Sequence, residues 1–323
     1  MKTKKIPVYI LTGFLGSGKT TILLKMLEEF KQRQIKPGIV LNEIGSINVE
    51  EHYFQNEKVV ELLDGCICCS IKDDLISGLQ QFLKSENQVD VLLIEGTGIA
   101  NPKEIVEALT DIHLIDHFEV FSIISVIDSS RFLEYGSIFA SSKEIRELLS
   151  EQLVNSTLVV LNKMDLVNQK TITKIRKKLD SQLKHDPLII ETTFGKIEAD
   201  LLLKKRVESV TISATSHHTH DKGHHKHHHH HSFQVMKIEN VPAINLRKFE
   251  KWLNTLPETI VRGKGIIRTN KSGEDWCHFQ FSSKQIQLTP IKRESIMSPC
   301  LIFIGSQLNS SVLEESFREE VVG

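Results

Sequence analysis

Gly13-Phe14-Leu15-Gly16-Ser17-Gly18-Lys19-Thr20 decides the fold of this 323-residue chain. It fills every fixed position of the pattern G-x-x-x-x-G-K-[ST]. Ahead of it runs the apolar stretch Val8-Tyr9-Ile10-Leu11, and behind it residues 21–30 carry helical periodicity. A buried strand, a glycine turn and a helix in that order cradle phosphate. The glycines let successive backbone N–H groups converge on an anion at the helix N-terminus. Gly13, Gly16, Ser17 and Gly18 are expected to line the loop, and Lys19 to reach the β- and γ-phosphates. The Thr20 hydroxyl should coordinate Mg²⁺, and Thr21 should add an α-phosphate contact.

Working outward, residues 1–206 alternate apolar β-type runs with helical patterns. Strands are expected at 8–12, 38–41, 91–94, 120–127, 158–161 and 188–191, with helices between them such as 20–31, 71–83, 103–109 and 172–183. The fold class that follows is α/β, a mostly parallel P-loop NTPase sheet with helices on both faces. Right-handed crossovers then put the loops after the strand C-termini on one edge.

Two of those loops carry chemistry. The strand Val91-Leu92-Leu93-Ile94 ends in Glu95, and a carboxylate there is costly unless a cation or donor offsets it. Glu95 is expected to hold Mg²⁺ through a water. Gly96 and Gly98 beside it would let the backbone move when the γ-phosphate leaves. After Leu158-Val159-Val160-Leu161 comes Asn162-Lys163-Met164-Asp165. The Asp165 carboxylate can accept from the N1–H and N2–H₂ edge of guanine, for which adenine has no equivalent. Asn162 should bind the other edge and secure the loop, and the Lys163 stem should cover the base. The ligand expected is therefore GTP. Thr192-Thr193-Phe194-Gly195 is a weakly marked further loop around the base.

Between the phosphate loop and Glu95 lies Cys66-Ile67-Cys68-Cys69, just before a helix with Ser70 as expected N-cap and Asp73 three residues on. The positive helix end favours thiolate, the metal-binding form. Three thiolates at Cys66, Cys68 and Cys69 leave a tetrahedral ion one exchangeable position. Zn²⁺ suits them best, with Co²⁺, Ni²⁺ and Cu⁺ also compatible. The competing readings are buried structural cysteines or a redox pair. Cys277 and Cys300 read as core packing.

The remaining composition narrows the class. Lys and Arg total 40 against 41 Asp and Glu, a net charge of −1. Nothing in that balance points to nucleic acid or to a membrane surface. No apolar run approaches the roughly 20 residues a bilayer needs, and the start lacks a signal-peptide h-region. Five cysteines, three of them in one tetrapeptide, make no disulfide framework, so the reduced cytoplasm is expected. Ten histidines fall between His217 and His231. Residues 207–231 are therefore read as a His-rich linker that collects Zn²⁺, Ni²⁺ or Co²⁺ weakly, and deleting 215–231 is expected to leave folding intact. Residues 232–323 read as a small α+β domain with strands at 260–267, 276–281, 286–288 and 301–304.

Taken together, these motifs resemble the CobW-type P-loop GTPases, a metallochaperone family related to the urease and hydrogenase nickel-insertion GTPases. The resemblance covers Gly13 to Thr20, Asn42-Glu43-Ile44-Gly45, Gly65 to Cys69, Glu95 to Pro102 and Asn162 to Asp165. In the second domain it continues through Arg262-Gly263-Lys264-Gly265 and Phe303-Ile304-Gly305. It implies GTP hydrolysis linked to Zn²⁺ or Co²⁺ and delivery of the ion to a client metalloprotein. It also implies a switch loop at 42–45, in which Glu43 contacts Mg²⁺ or the transferred metal. Ile44 stands where many members have Phe, and Gly96 where many have Thr. No Gln or Arg stands out as a catalytic group, so a partner or the second copy of a homodimer is expected to supply it. The rival functions are a GTP-tuned zinc buffer without client transfer and a small-molecule P-loop kinase.

Overall fold

The structure is a computed structural model that describes residues 4–41, 58–61, 71–96, 101–183, 186–214, 233–270, 276–282, 284–291, 298–306 and 308–322. Two compact units divide at Val207 and Glu208. In the first, the described strands are β1 (Ile6–Thr12), β2 (Pro37–Leu41), β3 (Lys58–Glu61), β4 (Val91–Glu95), β5 (Phe118–Asp128), β6 (Leu158–Asn162) and β7 (Leu188–Glu191). They form one sheet in the order β3-β2-β4-β1-β5-β6-β7, and every neighbouring pair is parallel. The sheet is therefore wholly parallel among the described residues.

A parallel sheet must be covered on both faces, and the period-2 geometry of β6 shows how. Leu158 and Val160 join the cluster that contains Leu11, Leu93, Leu23, Met26 and Phe30, the last three from α1 (Lys19–Gln32). Val159 and Leu161 point the other way. They meet Leu149 and Leu153 of α5 (Lys143–Val154) and Ile175 and Leu179 of α6 (Gln169–Gln182). Between α1 and α5 in sequence lie α2 (Ile71–Gln81), α3 (Pro102–Leu109) and the single turn α4 (Phe132–Tyr135), and α7 (Ala199–Leu203) follows β7. Truncating Leu93, which is fully buried, to Ala should cost about 2–5 kcal/mol.

This topology fixes where function can sit. Because β1, β4, β5, β6 and β7 all run one way, the loops after their C-terminal ends share one edge of the sheet. The phosphate loop, Glu95 and Asn162 to Asp165 are all on that edge. No described helix is long and apolar enough to cross a membrane.

The second unit contains β8 (Val207–Ser213), β9 (Phe233–Glu239), β10 (Ile260–Arg268), β11 (Trp276–Ser282), β12 (Gln285–Ile291) and β13 (Cys300–Gly305). Their order is β12-β11-β10-β13-β9-β8. The helices α8 (Leu246–Thr255) and α9 (Ser310–Phe317) contribute Phe249, Trp252, Leu253, Leu313 and Phe317 to one core with Phe279 and Phe303 of the sheet. Asn245 caps α8 by accepting from Arg247 N and Lys248 N. Trp252 Nε1 donates to Ser316 Oγ at 3.0 Å, which satisfies the polar atom of a buried ring. Cys277 and Cys300 are both buried in this unit.

Two features depart from the sequence reading. Residues 207–213, assigned above to the linker, form β8, because the β-branched Val207, Val210, Thr211 and Ile212 make a strand that packs Ile212 on the core. β9 follows the histidine segment directly, so residues 215–232 connect two neighbouring strands of one sheet. Those strands run in the same direction. Gln234 Nε2 donates to Glu208 Oε2 near their starts, while Ala214 N donates to Glu239 O and Asn240 Nδ2 to Ser213 Oγ near their ends.

Candidate nucleotide site

The phosphate loop takes its shape from backbone that only glycine tolerates well. Gly18 has φ 104°, and a Cβ built there would lie 2.3 Å from Asn162 Nδ2. Gly13 has φ 136°, and its Cβ would lie 2.1 Å from the Val126 carbonyl oxygen. Both values are far inside contact distance, so the loop is packed against β5 and β6 as tightly as backbone allows.

Lys19, the first residue of α1, is buried and folds back over the loop. Its Nζ donates to Gly13 O at 3.0 Å and to Phe14 O at 3.4 Å. A buried ammonium is thereby held against the loop backbone, where an arriving phosphate would find it. The first turn of α1 contains no acidic side chain, which leaves the positive end of the helix macrodipole to a ligand. Ser17 Oγ is buried and has no hydrogen-bond partner among the described residues. An orphaned hydroxyl inside a glycine loop fits an anion that supplies the missing acceptor. Thr21 is exposed.

Glu95 reaches this loop through strand pairing. It lies opposite Leu11 at the ends of β4 and β1, and Gly96 N donates to Leu11 O at 2.9 Å. Thr20 Oγ1 is 3.4 Å from Glu95 Oε1. A hydroxyl and a carboxylate so close form a hard oxygen donor pair, the kind Mg²⁺ takes.

On the other side, Asn162 joins three loops. Its Nδ2 donates to Ser17 O at 2.9 Å, and its Oδ1 accepts from Gly195 N at 3.1 Å. Met164 N also donates to Thr192 O at 3.2 Å. The segment 192–195 is thus tied to Asn162-Lys163-Met164-Asp165 at two points. Asp165 is exposed on the 3₁₀ turn Met164–Leu166, and its carboxylate has no protein partner among the described residues. Lys163 adopts left-handed backbone, φ 60° and ψ 39°.

Sequence reasoning missed Asp128, which the structure places under this loop. Lys163 Nζ lies 2.6 Å from Asp128 Oδ2. Burial pushes the Asp128 carboxyl up, but the Lys163 ammonium and the Ser130 donors outweigh it and hold the group below its ordinary value. The available signal was an acid ending an apolar strand, Val126-Ile127-Asp128, the same logic that singled out Glu95. Phe14 of the phosphate loop also packs on Tyr135, with ring centroids 4.6 Å apart and the planes tilted by 37°. Glu43 and the rest of 42–45, Cys66, Cys68, Cys69 and Ser70 lie outside the described residues, as does Gly98.

Residues 7–193 match the profile of the CobW/HypB/UreG nucleotide-binding domain. The chain belongs to the CobW/HypB/UreG family. Residues 233–321 match the Cobalamin synthesis protein cobW C-terminal domain. Among curated relatives, Zinc chaperone CobW of Sinorhizobium sp is 31% identical over 259 residues, covering 72% of this chain and 73% of that one. Zinc-regulated GTPase metalloprotein activator 1 of Schizosaccharomyces pombe is 26% identical over 361 residues, covering 94% and 83%. A crystal structure of Zn(II)-bound YjiA GTPase from E. coli is 21% identical with a TM-score of 0.47, covering 98% of this chain and 99% of that chain.

Proposed function

We propose that this CobW-family protein hydrolyses GTP and uses the cycle to take up Zn²⁺, or Co²⁺, at Cys66, Cys68 and Cys69 and pass it to a client metalloprotein in the reduced cytoplasm. The observation that carries the nucleotide half is the exposed Asp165 carboxylate beside an Asn162 already anchored to Ser17 and Gly195. Two carboxylate oxygens can accept the paired N–H donors of guanine, and adenine presents no such pair. The metal half is supported by relatives named zinc chaperone and zinc-regulated GTPase, and by the chemistry of three clustered thiols.

In this reading Lys19 exchanges its Gly13 and Phe14 carbonyl partners for the β- and γ-phosphates and opposes charge that builds as the terminal P–O bond breaks. Thr20 and Glu95 would hold Mg²⁺, which when bound neutralises phosphate charge. Cys66, Cys68 and Cys69 as thiolates satisfy three tetrahedral positions of Zn²⁺ and leave the fourth to the client. Glu43 is the side chain through which the nucleotide state would reach the metal.

Coupling of the two sites must be reciprocal, so GTP should tighten Zn²⁺ as much as Zn²⁺ tightens GTP. Competition against a chromophoric zinc chelator tests this in the presence of Mg²⁺ with a non-hydrolysable GTP analogue or with GDP. Zn²⁺ should bind about tenfold more tightly in the GTP-like state, about 1.4 kcal/mol. Equal affinity in both states would defeat nucleotide-gated transfer and leave a plain metal-binding GTPase. A GTP-tuned buffer would show the affinity difference without faster GTP turnover in the presence of metal or client.

A further inference from the structure

We propose that Asp128 is a positioning residue for base recognition. It anchors the Lys163 ammonium, so that the Lys163 stem is already in place when Asp165 meets guanine. The proposal rests on the reading of Asn162-Lys163-Met164-Asp165 as the guanine site and extends it to a residue that no motif contains.

The geometry is that of a fixed anchor. Asp128 ends β5 directly opposite Asn162 of β6, so Lys163 is the first residue beyond the paired strands. The Asp128 side chain is 7% exposed and that of Lys163 34%. Each carboxylate oxygen has its own work. Oδ1 accepts from Ser130 N at 2.9 Å and from Ser130 Oγ at 2.5 Å, while Oδ2 accepts from Lys163 Nζ at 2.6 Å. The Ser130 turn therefore sets the orientation of the carboxylate, and the carboxylate sets the ammonium. Backbone contacts hold the same two segments together, since Ser129 N donates to Asn162 O at 3.0 Å and Ser129 Oγ lies 3.3 Å from Met164 Sδ.

Such an anchor acts on entropy. A long lysine on a left-handed backbone position would otherwise sample many rotamers and have to be ordered by the nucleotide. Pinning its end to a buried anion removes that freedom in advance. The benefit falls on ligands that carry a base, because the phosphate loop is held by Asn162 and Ser17 and does not depend on Asp128.

The test compares GTP, GDP and inorganic tripolyphosphate binding to the full chain and to Asp128→Asn, with KM and kcat for GTP hydrolysis alongside. GTP and GDP should weaken together by about tenfold, tripolyphosphate should bind as before, and the loss should fall on KM rather than kcat. Unchanged GTP affinity, or equal weakening of GTP and tripolyphosphate, would overturn the proposal, the second outcome marking a merely structural ion pair. If Asp128→Asn does not fold, Ser130→Ala removes one donor that orients the carboxylate and should weaken GTP two- to threefold without affecting tripolyphosphate. Unchanged GTP affinity in that variant also overturns it. Parent protein that binds ATP as tightly as GTP would instead sink the guanine reading itself, and this proposal with it.

Discussion

Asn162 Nδ2 donates to the Ser17 carbonyl at 2.9 Å, a bond that spans 145 residues of sequence and ties the phosphate loop to the segment 162–165. The same amide accepts from Gly195 N at 3.1 Å, so one side chain registers three loops from the ends of β1, β6 and β7. Asn162→Ala would leave a buried carbonyl and a buried N–H without partners. The expected cost is about 1–3 kcal/mol of folding stability, with weaker GTP binding in proportion. Urea denaturation beside a GTP titration measures both. An unchanged midpoint would mean that water or a neighbouring group replaces the amide at no cost.

Asp165→Asn should shift preference from GTP toward xanthosine triphosphate, because an amide offers one acceptor and one donor where guanine requires two acceptors. Loss of the charge-assisted pair should cost roughly 2–3 kcal/mol of GTP affinity. Calorimetric titration with each nucleotide decides it, and GTP affinity equal to the parent's would place the base elsewhere.

The strand, glycine loop and helix at 6–32 and the segment 162–165 after β6 stood out in the sequence because each rests on particular residues at fixed short spacing. The strands that bury both faces were readable because apolar runs bounded by turns are local signals. Asp128 offered only its place at the end of an apolar strand, and its pairing was not legible, since Lys163 lies 35 positions away and no spacing rule joins them. β3 carries only Val59 and Val60 between charged ends, too little pattern for a strand until β2 pairs with it. β8 and β9 went unnamed because the histidine run between them dominates the composition of the segment. Their own β-branched and apolar residues suit a strand, and pairing in the sheet brings that out.

Linkage at Asp128 gives a pH signature. Its carboxyl is held below the ordinary value of about 4, so its contribution to stability is complete above that pH and is lost as pH falls through the lower folded value. The stability gap between the parent and Asp128→Asn should therefore be full at pH 7 and close in strongly acidic buffer. Denaturant midpoints of both proteins across that range provide the check, and a gap that does not change with pH would mean the carboxylate charge contributes nothing.

Replacing Cys66, Cys68 and Cys69 with Ser should abolish tight Zn²⁺ binding while GTP binding without metal persists, since Lys19 and Asp165 supply the latter. Lys19→Ala should do the reverse, keeping the thiolates but erasing the difference in Zn²⁺ affinity between nucleotide states. Chelator competition on the two variants separates the roles. Tight Zn²⁺ binding by the triple Ser variant would move the metal site away from the cysteine cluster.

The shared direction of β8 and β9 turns chain length into a design limit for any experiment on the histidines. The chain leaves β8 at one end of the strand pair and must re-enter β9 at the other. For strands of seven residues that is a return of about 20 Å at ~3.3 Å per residue. Removing residues 215–231 outright would leave Ser232 alone to make it, although one or two extended residues reach only about 7 Å. Contrary to the expectation from composition, that deletion should unzip an edge strand, and its phenotype would report broken geometry rather than lost imidazoles. The metal capacity of the segment is better measured by exchanging its histidines for serine and glycine at constant length, so that the tether still spans the sheet while its donors are gone.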